Sequence, residues 1–289
     1  MIPASFDYHS PKTLSEAIDL LSRHGDGAKV LSGGQSLLPL LKLRLGTASH
    51  LVDIGKVPGL EYIREEDGFL KIGGRTREST LEASDLIRKK YPILADTAAV
   101  IADPLVRNLA TVGGNLAHGD PANDHPATML ALGAVVVATG PKGERTIPIG
   151  KFFTDLFTTA LSHDEILTEI RIPTPPPGSG GAYVKLERKV GDFATAASAA
   201  QLTLKGGVVE KAGIGLTNAG PVPVQAEKAE AFLKGKKLDA ATIAEAARLA
   251  AKSADPSADR RGSVEYKKEM ARVLTARALA KAAERAGGA

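Results

Sequence analysis

The sequence predicts an α+β protein. Near the start, an amphipathic helix pattern lies between two short apolar runs, and the last third reads as strands followed by helices. Turn signals drawn from 30 glycines and 17 prolines cut the middle of the 289-residue chain into hairpins and short helices.

Taken in order, Thr13-Leu14-Ser15-Glu16 reads as a capping box, in which the Thr13 hydroxyl accepts from the Glu16 amide and Glu16 reaches back. Leu14, Ala17, Ile18 and Leu21 follow at helical spacing, and Gly25 suits the stop. The runs 28–31 and 50–54 read as strands. Residues 61–64 and 69–72 flank Asp67-Gly68, a hairpin signal. Helices are expected over 80–90 and 93–101, a second hairpin at 135–138 and 145–148 around Gly140 to Gly143, and a strand over 165–172.

Pro173-Thr174-Pro175-Pro176-Pro177-Gly178-Ser179-Gly180-Gly181 is the clearest linker, because proline stiffens the chain and removes backbone donors. Beyond it come expected strands at 182–188, 196–204 and 208–216. Three helices then follow at 225–233, 240–252 and 263–285, the last with Tyr266, Met270, Val273 and Leu274 as its apolar stripe.

Composition narrows the function. There is no cysteine, which excludes disulfides, thiolate-held iron–sulfur clusters, thiolate zinc sites and cysteine nucleophiles within this chain. Thirty-seven basic against 33 acidic side chains leave a net charge of +4. The isoelectric point near 9.1 suggests nucleic acid. Against that, the basic runs are as short as Arg88-Lys89-Lys90 and aromatics are only 4% of the chain, so a nucleic-acid partner is not expected. No stretch reaches the length of a membrane helix and no secretory leader opens the chain, so a cytoplasmic protein with no transmembrane segment is expected.

Four segments carry chemistry. Ser32-Gly33-Gly34-Gln35-Ser36 and Thr111-Val112-Gly113-Gly114-Asn115 are double glycines flanked by hydroxyl and amide side chains. Such loops bring backbone amides close to a diphosphate, yet each alone equally fits a strand-to-helix turn. Neither matches the dinucleotide fingerprint or the phosphate loop of nucleotide hydrolases. The third segment, His118 to Pro126, holds two histidines and two aspartates at a spacing that fits no zinc motif. Its Asp124 either accepts from ligand hydroxyls or caps a helix at 126–132. In the fourth, 183–196, Lys185 and Phe193 either face a cofactor ring or form a solvated strand face with Phe193 in the core.

In this order and spacing the four segments, with Ile2-Pro3-Ala4-Ser5-Phe6-Asp7-Tyr8 at the start, Glu165-Ile166-Leu167-Thr168-Glu169-Ile170 and Gly213-Ile214-Gly215-Leu216-Thr217-Asn218, resemble the FAD-binding medium subunits of molybdenum hydroxylases. The likeness runs end to end and is strongest to the flavoprotein subunits of aerobic carbon monoxide dehydrogenases.

The resemblance implies two α/β subdomains of the FAD-binding (vanillyl-alcohol-oxidase/PCMH-like) type, at 1–56 and 57–174. A linker at 175–180 then leads to a C-terminal domain at 181–289, a three-stranded antiparallel sheet with a helical bundle. It implies noncovalent FAD with its diphosphate on Ser32, Gly33, Gly34, Gln35, Ser36 and Leu37, and on Thr111, Gly113, Gly114 and Asn115. Asp124 then bonds the flavin's polar chain. Leu167 and Lys185 lie near the ring, Ile101 and Leu161 touch the cofactor, and Phe193 stands where close relatives carry Tyr or Trp. No side chain of this chain acts catalytically on the substrate.

The implied partners are a small iron–sulfur subunit with [2Fe–2S] clusters and a large molybdopterin subunit, in a heterotrimer that pairs into a dimer. Electrons would pass from the clusters to FAD and on to a quinone or other acceptor, with the complex in the cytoplasm or at the inner face of the membrane. The flavin subunit of an aldehyde, xanthine or N-heterocycle dehydrogenase is the alternative.

Overall fold

The structure, a computed structural model, describes residues 2–287. Met1, Gly288 and Ala289, the ends of the first and last expected domains, lie outside the described residues. The chain opens with a parallel sheet in which His50–Asp53 is the central strand, flanked by Asp7–His9 and Ala28–Leu31. Helix Leu14–His24 links the outer two and buries Ala17, Ile18 and Leu21. Thr13 Oγ1 accepts from the Glu16 amide at 3.1 Å. Glu16 reaches back one residue further than expected, to the Lys12 amide at 2.8 Å. Asp7–His9 is not among the expected strands, because a three-residue, largely exposed edge carries no alternating apolar pattern.

The second sheet is antiparallel, in the order Ile63–Glu66, Phe69–Gly73, Ile166–Pro173, Val135–Gly140 and Gly143–Pro148. Both hairpins stand where the turn residues place them. The single helix expected over 80–90 is two, Glu78–Ala83 and Asp85–Lys90. Ser84 breaks it by turning extended and accepting from the Ile87 amide, so a residue that reads as helix interior is a cap. Pro92–Ala99 follows. Helix Asp124–Leu132 begins two residues earlier than expected, and all nine of its residues are buried.

The C-terminal sheet has three long antiparallel strands, Ser179–Leu186, Ala196–Lys205 and Val208–Thr217, and a two-residue edge strand, Val224–Gln225. Its first strand begins inside the expected linker. Helices Glu227–Leu233, Ala240–Ser253 and Val264–Arg285 complete the chain. Of the expected stripe the last one buries only Leu274, with Met270 and Val273 half-buried. Tyr266 is exposed, and Lys267, Ala271, Leu274, Ala278 and Ala282 face inward. Small side chains let this helix lie close to the sheet, and Lys267 enters because Asp259 pairs with it at 2.9 Å.

The largest core is continuous between the second and third sheets, where Leu70, Ile72, Met129 and Ile170 meet Tyr183, Ala197 and Ala199. A second core lies under the C-terminal helices around Leu202, Ile214, Leu233 and Leu279, and a third holds the opening helix on its sheet. Helix Asp124–Leu132 presses directly on strand Val208–Thr217. A Cβ at Gly213 would stand 2.0 Å from the Ala131 carbonyl oxygen, and one at Gly215 would stand 2.0 Å from that of Ala127. This contact fixes where the start of the helix points. The end of the last helix ties back as well: Arg285 donates to Asp96 and to the Gly181 carbonyl, both at 2.6 Å.

Candidate functional site

The two double-glycine loops lie side by side. Ser32 and Thr111, 79 residues apart in sequence, share a hydrogen bond of 2.9 Å between their hydroxyls. Gly33 and Gly34 both take left-handed backbone angles, φ +71° and +75°, which side-chain-bearing residues rarely adopt. A Cβ on Gly33 would sit 2.1 Å from the Leu109 carbonyl oxygen, so the first loop rests on the stretch of chain that leads into the second.

The loops are not equivalent. The amides of Gly33, Gly34, Gln35, Ser36 and Leu37 meet no acceptor among the described residues, and Gln35 only donates its side-chain amide to the Gly33 carbonyl. In the second loop the amides are occupied. Val112 donates to Thr76, Gly113 to Gly74, Gly114 to the Thr111 hydroxyl and Asn115 to the Thr111 carbonyl. The second loop is therefore a buttress whose free groups are side chains. The Asn115 Oδ1 is buried with no partner among the described residues. Gly74 extends the buttress, since its own amide donates to the Thr168 carbonyl and a Cβ there would meet the Leu167 carbonyl oxygen at 2.1 Å. Leu167, buried at an irregularity in its strand's pairing, is thereby tied to the glycine loops. Leu161 is half-buried against the main core.

Asn123 donates to the Asn115 carbonyl at 2.9 Å and leads straight to Asp124. Asp124 does not cap its helix; Asn123 holds that position, and the carboxylate turns inward. It accepts from Tyr183 Oη at 2.6 Å and pairs with Lys185 Nζ at 3.0 Å. Both ionic side chains are almost wholly buried. Burial pushes the Asp124 carboxyl up, and Lys185 and Tyr183 oppose that rise. Lys185 also donates to the Val100 carbonyl at 2.9 Å, beside Ile101. Ile101 is itself held by Arg107, which donates to its carbonyl at 2.9 Å and pairs with Glu82.

Phe193 is 48% exposed, which removes the reading that places it in the core. Its loop rests on the same segment, with Gly191 against the Ala102 carbonyl. Asp192 anchors the loop through Arg261 at 2.7 Å and Arg188 at 2.9 Å, and these guanidiniums, Arg261 first, hold its carboxyl at about 2. In the third segment His125 is taken up by Glu78 at 2.7 Å, both wholly buried.

One connected line thus runs from Ser32 through Thr111, Asn115, Asp124 and Lys185 to Ile101 and the Phe193 loop. Gly74, Tyr183 and Arg107 belong to it and are not among the expected residues. Gly74 stands in a visible Gly-Gly pair, and Tyr183 lies two residues from Lys185 on one strand face; nothing local marks Arg107.

Residues 4–175 match the model of the FAD binding domain in molybdopterin dehydrogenase, and residues 181–282 that of the CO dehydrogenase flavoprotein C-terminal domain. The chain belongs to the FAD-binding medium subunits of the molybdenum hydroxylases. This medium subunit is 46% identical over 286 residues to the carbon monoxide dehydrogenase medium chain of Afipia carboxidovorans, covering 99% of each chain. It is 43% identical to that of Hydrogenophaga pseudoflava, over 96% of this chain and 97% of the relative. A structure of carbon monoxide dehydrogenase from Hydrogenophaga pseudoflava, lacking the Mo-pyranopterin moiety of the molybdenum cofactor, superposes with a TM-score of 0.96 at 45% identity, covering 99% of each chain. Quinoline 2-oxidoreductase from Pseudomonas putida 86 superposes at 0.92 with 34% identity, over 100% of this chain and 99% of that one. The medium subunit is an oxidoreductase component with FAD as its cofactor. Five free amides fit the phosphates of a ligand of that kind. No described helix is long and apolar enough to cross a membrane.

Proposed function

We propose that this chain is the flavin subunit of an aerobic carbon monoxide dehydrogenase. It takes electrons from [2Fe–2S] clusters on a small partner and passes them to a quinone or another acceptor. The molybdenum–pterin centre sits on a large partner, in a heterotrimer that pairs into a dimer, in the cytoplasm or at the inner face of the membrane. Similarity along the whole chain to carbon monoxide dehydrogenase medium chains supports this reading over the flavin subunit of an aldehyde, purine or N-heterocycle dehydrogenase.

One observation carries the cofactor assignment: the row of free amides from Gly33 to Leu37, seated on the Ser32–Thr111 hydrogen bond. These amides bind the diphosphate, with Thr111 and Asn115 completing the cradle from the second loop. Asp124 holds the polar chain that joins diphosphate to ring. Leu167, Leu161, Ile101 and Phe193 exclude water around the ring, and Lys185 places a cation near it. Bound there, FAD supplies transfer of electrons singly or in pairs. The protein's part is position and electrostatics, with no side chain required as acid or base.

Ser36→Asp tests the cradle by charge. Ser36 stands at the cap of helix Leu37–Leu43, where Asp is favoured, so the fold tolerates it while a carboxylate meets the phosphates. The purified variant is expected to lose FAD and to melt as the FAD-free unaltered chain does; stoichiometric FAD would refute the cradle. The substrate is tested in the assembled complex. Carbon monoxide should bleach the yellow flavin absorbance, and bleaching by an aldehyde or N-heterocycle instead would favour the alternative.

A further inference from the structure

Three of the six histidines converge on the opening parallel sheet. His9 ends the first strand, His50 begins the central strand, and His24 closes the opening helix. One ring nitrogen from each lies within 4.8 Å of the others, the only such group of three possible metal ligands among the described residues. His9 Nε2 and His50 Nδ1 are 3.2 Å apart, and the His24 and His50 rings stack with centroids 3.7 Å apart. His50 enters the cluster from the end of the central strand away from the first glycine loop, since it pairs with Ala28 whereas the loop follows Leu31.

We infer that His9, His24 and His50 form a binding site for a divalent late transition-metal ion, with zinc(II) as the reference ion. Imidazole is the ligand such ions share, and three of them with one open position make a site familiar for zinc. The three ligands sit on separate elements that are held independently of any ion. The buried Ala17, Ile18 and Leu21 fix the helix, and the parallel pairing fixes both strands. Asp7 adds a negative charge at the edge of the cluster, with Oδ2 3.5 Å from His50 Nδ1. The C-terminal end of an 11-residue helix also favours a cation beside His24. An ion about 2.0–2.1 Å from each nitrogen needs those nitrogens roughly 3.4 Å apart, so the His24 ring must tilt off His50.

The test uses the full chain without a histidine tag, dialysed against micromolar zinc(II) and analysed for bound metal. One zinc per chain is expected. His24→Gln and His50→Gln should each weaken binding by at least about tenfold, the scale on which even outer partners of a metal ligand act. His163→Gln, at an exposed histidine elsewhere, should bind as the unaltered chain does. Absence of stoichiometric zinc in the unaltered chain, or full affinity in either of the first two variants, overturns the site. Cobalt(II) gives a readout that needs no variant. The unaltered chain should show the intense visible bands of a four-coordinate ion, and a pale six-coordinate spectrum overturns the assignment.

Discussion

Lys185 and Asp124, 61 residues apart, form an ion pair at 3.0 Å with almost no contact with water. Two charges that each suggest a ligand contact are first of all partners of one another. Their pairing ties the start of helix Asp124–Leu132 to strand Ser179–Leu186, and Tyr183 adds a third group to the same carboxylate.

Lys185→Met should therefore act on stability as well as on the cofactor. Removing one member of a buried pair typically costs about 3–5 kcal/mol because the other is left unpaired. Denaturant unfolding should show a loss on that scale, and adding Asp124→Asn to the same chain should recover part of it. Equal stability of the single variant and the unaltered chain would mean that the pair is not formed.

Gly33→Ala separates packing from backbone preference when compared with Gly68→Ala. Both glycines have positive φ, +71° and +79°, but only Gly33 has a neighbour in the way, the Leu109 carbonyl oxygen at 2.1 Å. Gly68→Ala should cost roughly 1–2 kcal/mol, the left-handed penalty alone. Gly33→Ala should cost more and release FAD as the two loops part. Similar melting temperatures and FAD content for both variants would argue against contact between the loops.

Asp192 provides a pH signature. Its folded pKa of about 2 lies below the ordinary aspartate value near 3.9, so its stabilisation is complete above that value and is lost as pH falls toward 2. The melting-temperature gap between the unaltered chain and Asp192→Asn should be constant above about pH 5 and close between about pH 4 and 2. A gap that ignores pH in this window would contradict the pairing with Arg261 and Arg188.

Phe193→Ala should leave stability nearly unchanged, within about 0.5 kcal/mol, because the ring is half-exposed. The flavin spectrum or reoxidation rate should change as the ring's cover over the cofactor is lost. An unaltered spectrum and rate would remove Phe193 from the site.

Local signals in the sequence carry the elements with strong periodicity or turn chemistry. Leu14–His24 and both hairpins of the second sheet stand where capping, spacing and Asp67-Gly68 place them. Ser84 escapes such a reading because a serine inside a helical pattern passes for interior until a nearby amide is seen to need a cap. The stripe of the last helix misleads because burial there favours small residues over large ones. Both glycine loops are legible as ligand-binding candidates, but their different roles are not. Whether an amide of the second loop is free depends on Gly74 and Thr76, far back in the chain, and no local pattern records it.

The Asp96 clamp has a consequence for how the chain is made. Its two basic partners, Lys281 and Arg285, are synthesised 185 and 189 residues after it. Strand Ser179–Leu186, which brings Lys185 to Asp124, is gripped by the same Arg285 through Gly181. A ribosome must therefore release residues through Arg285 before this face can close. Until then Asp124 and Asp96 wait as unmatched negative charges, and the long loops between partners make closure a slow, concerted step.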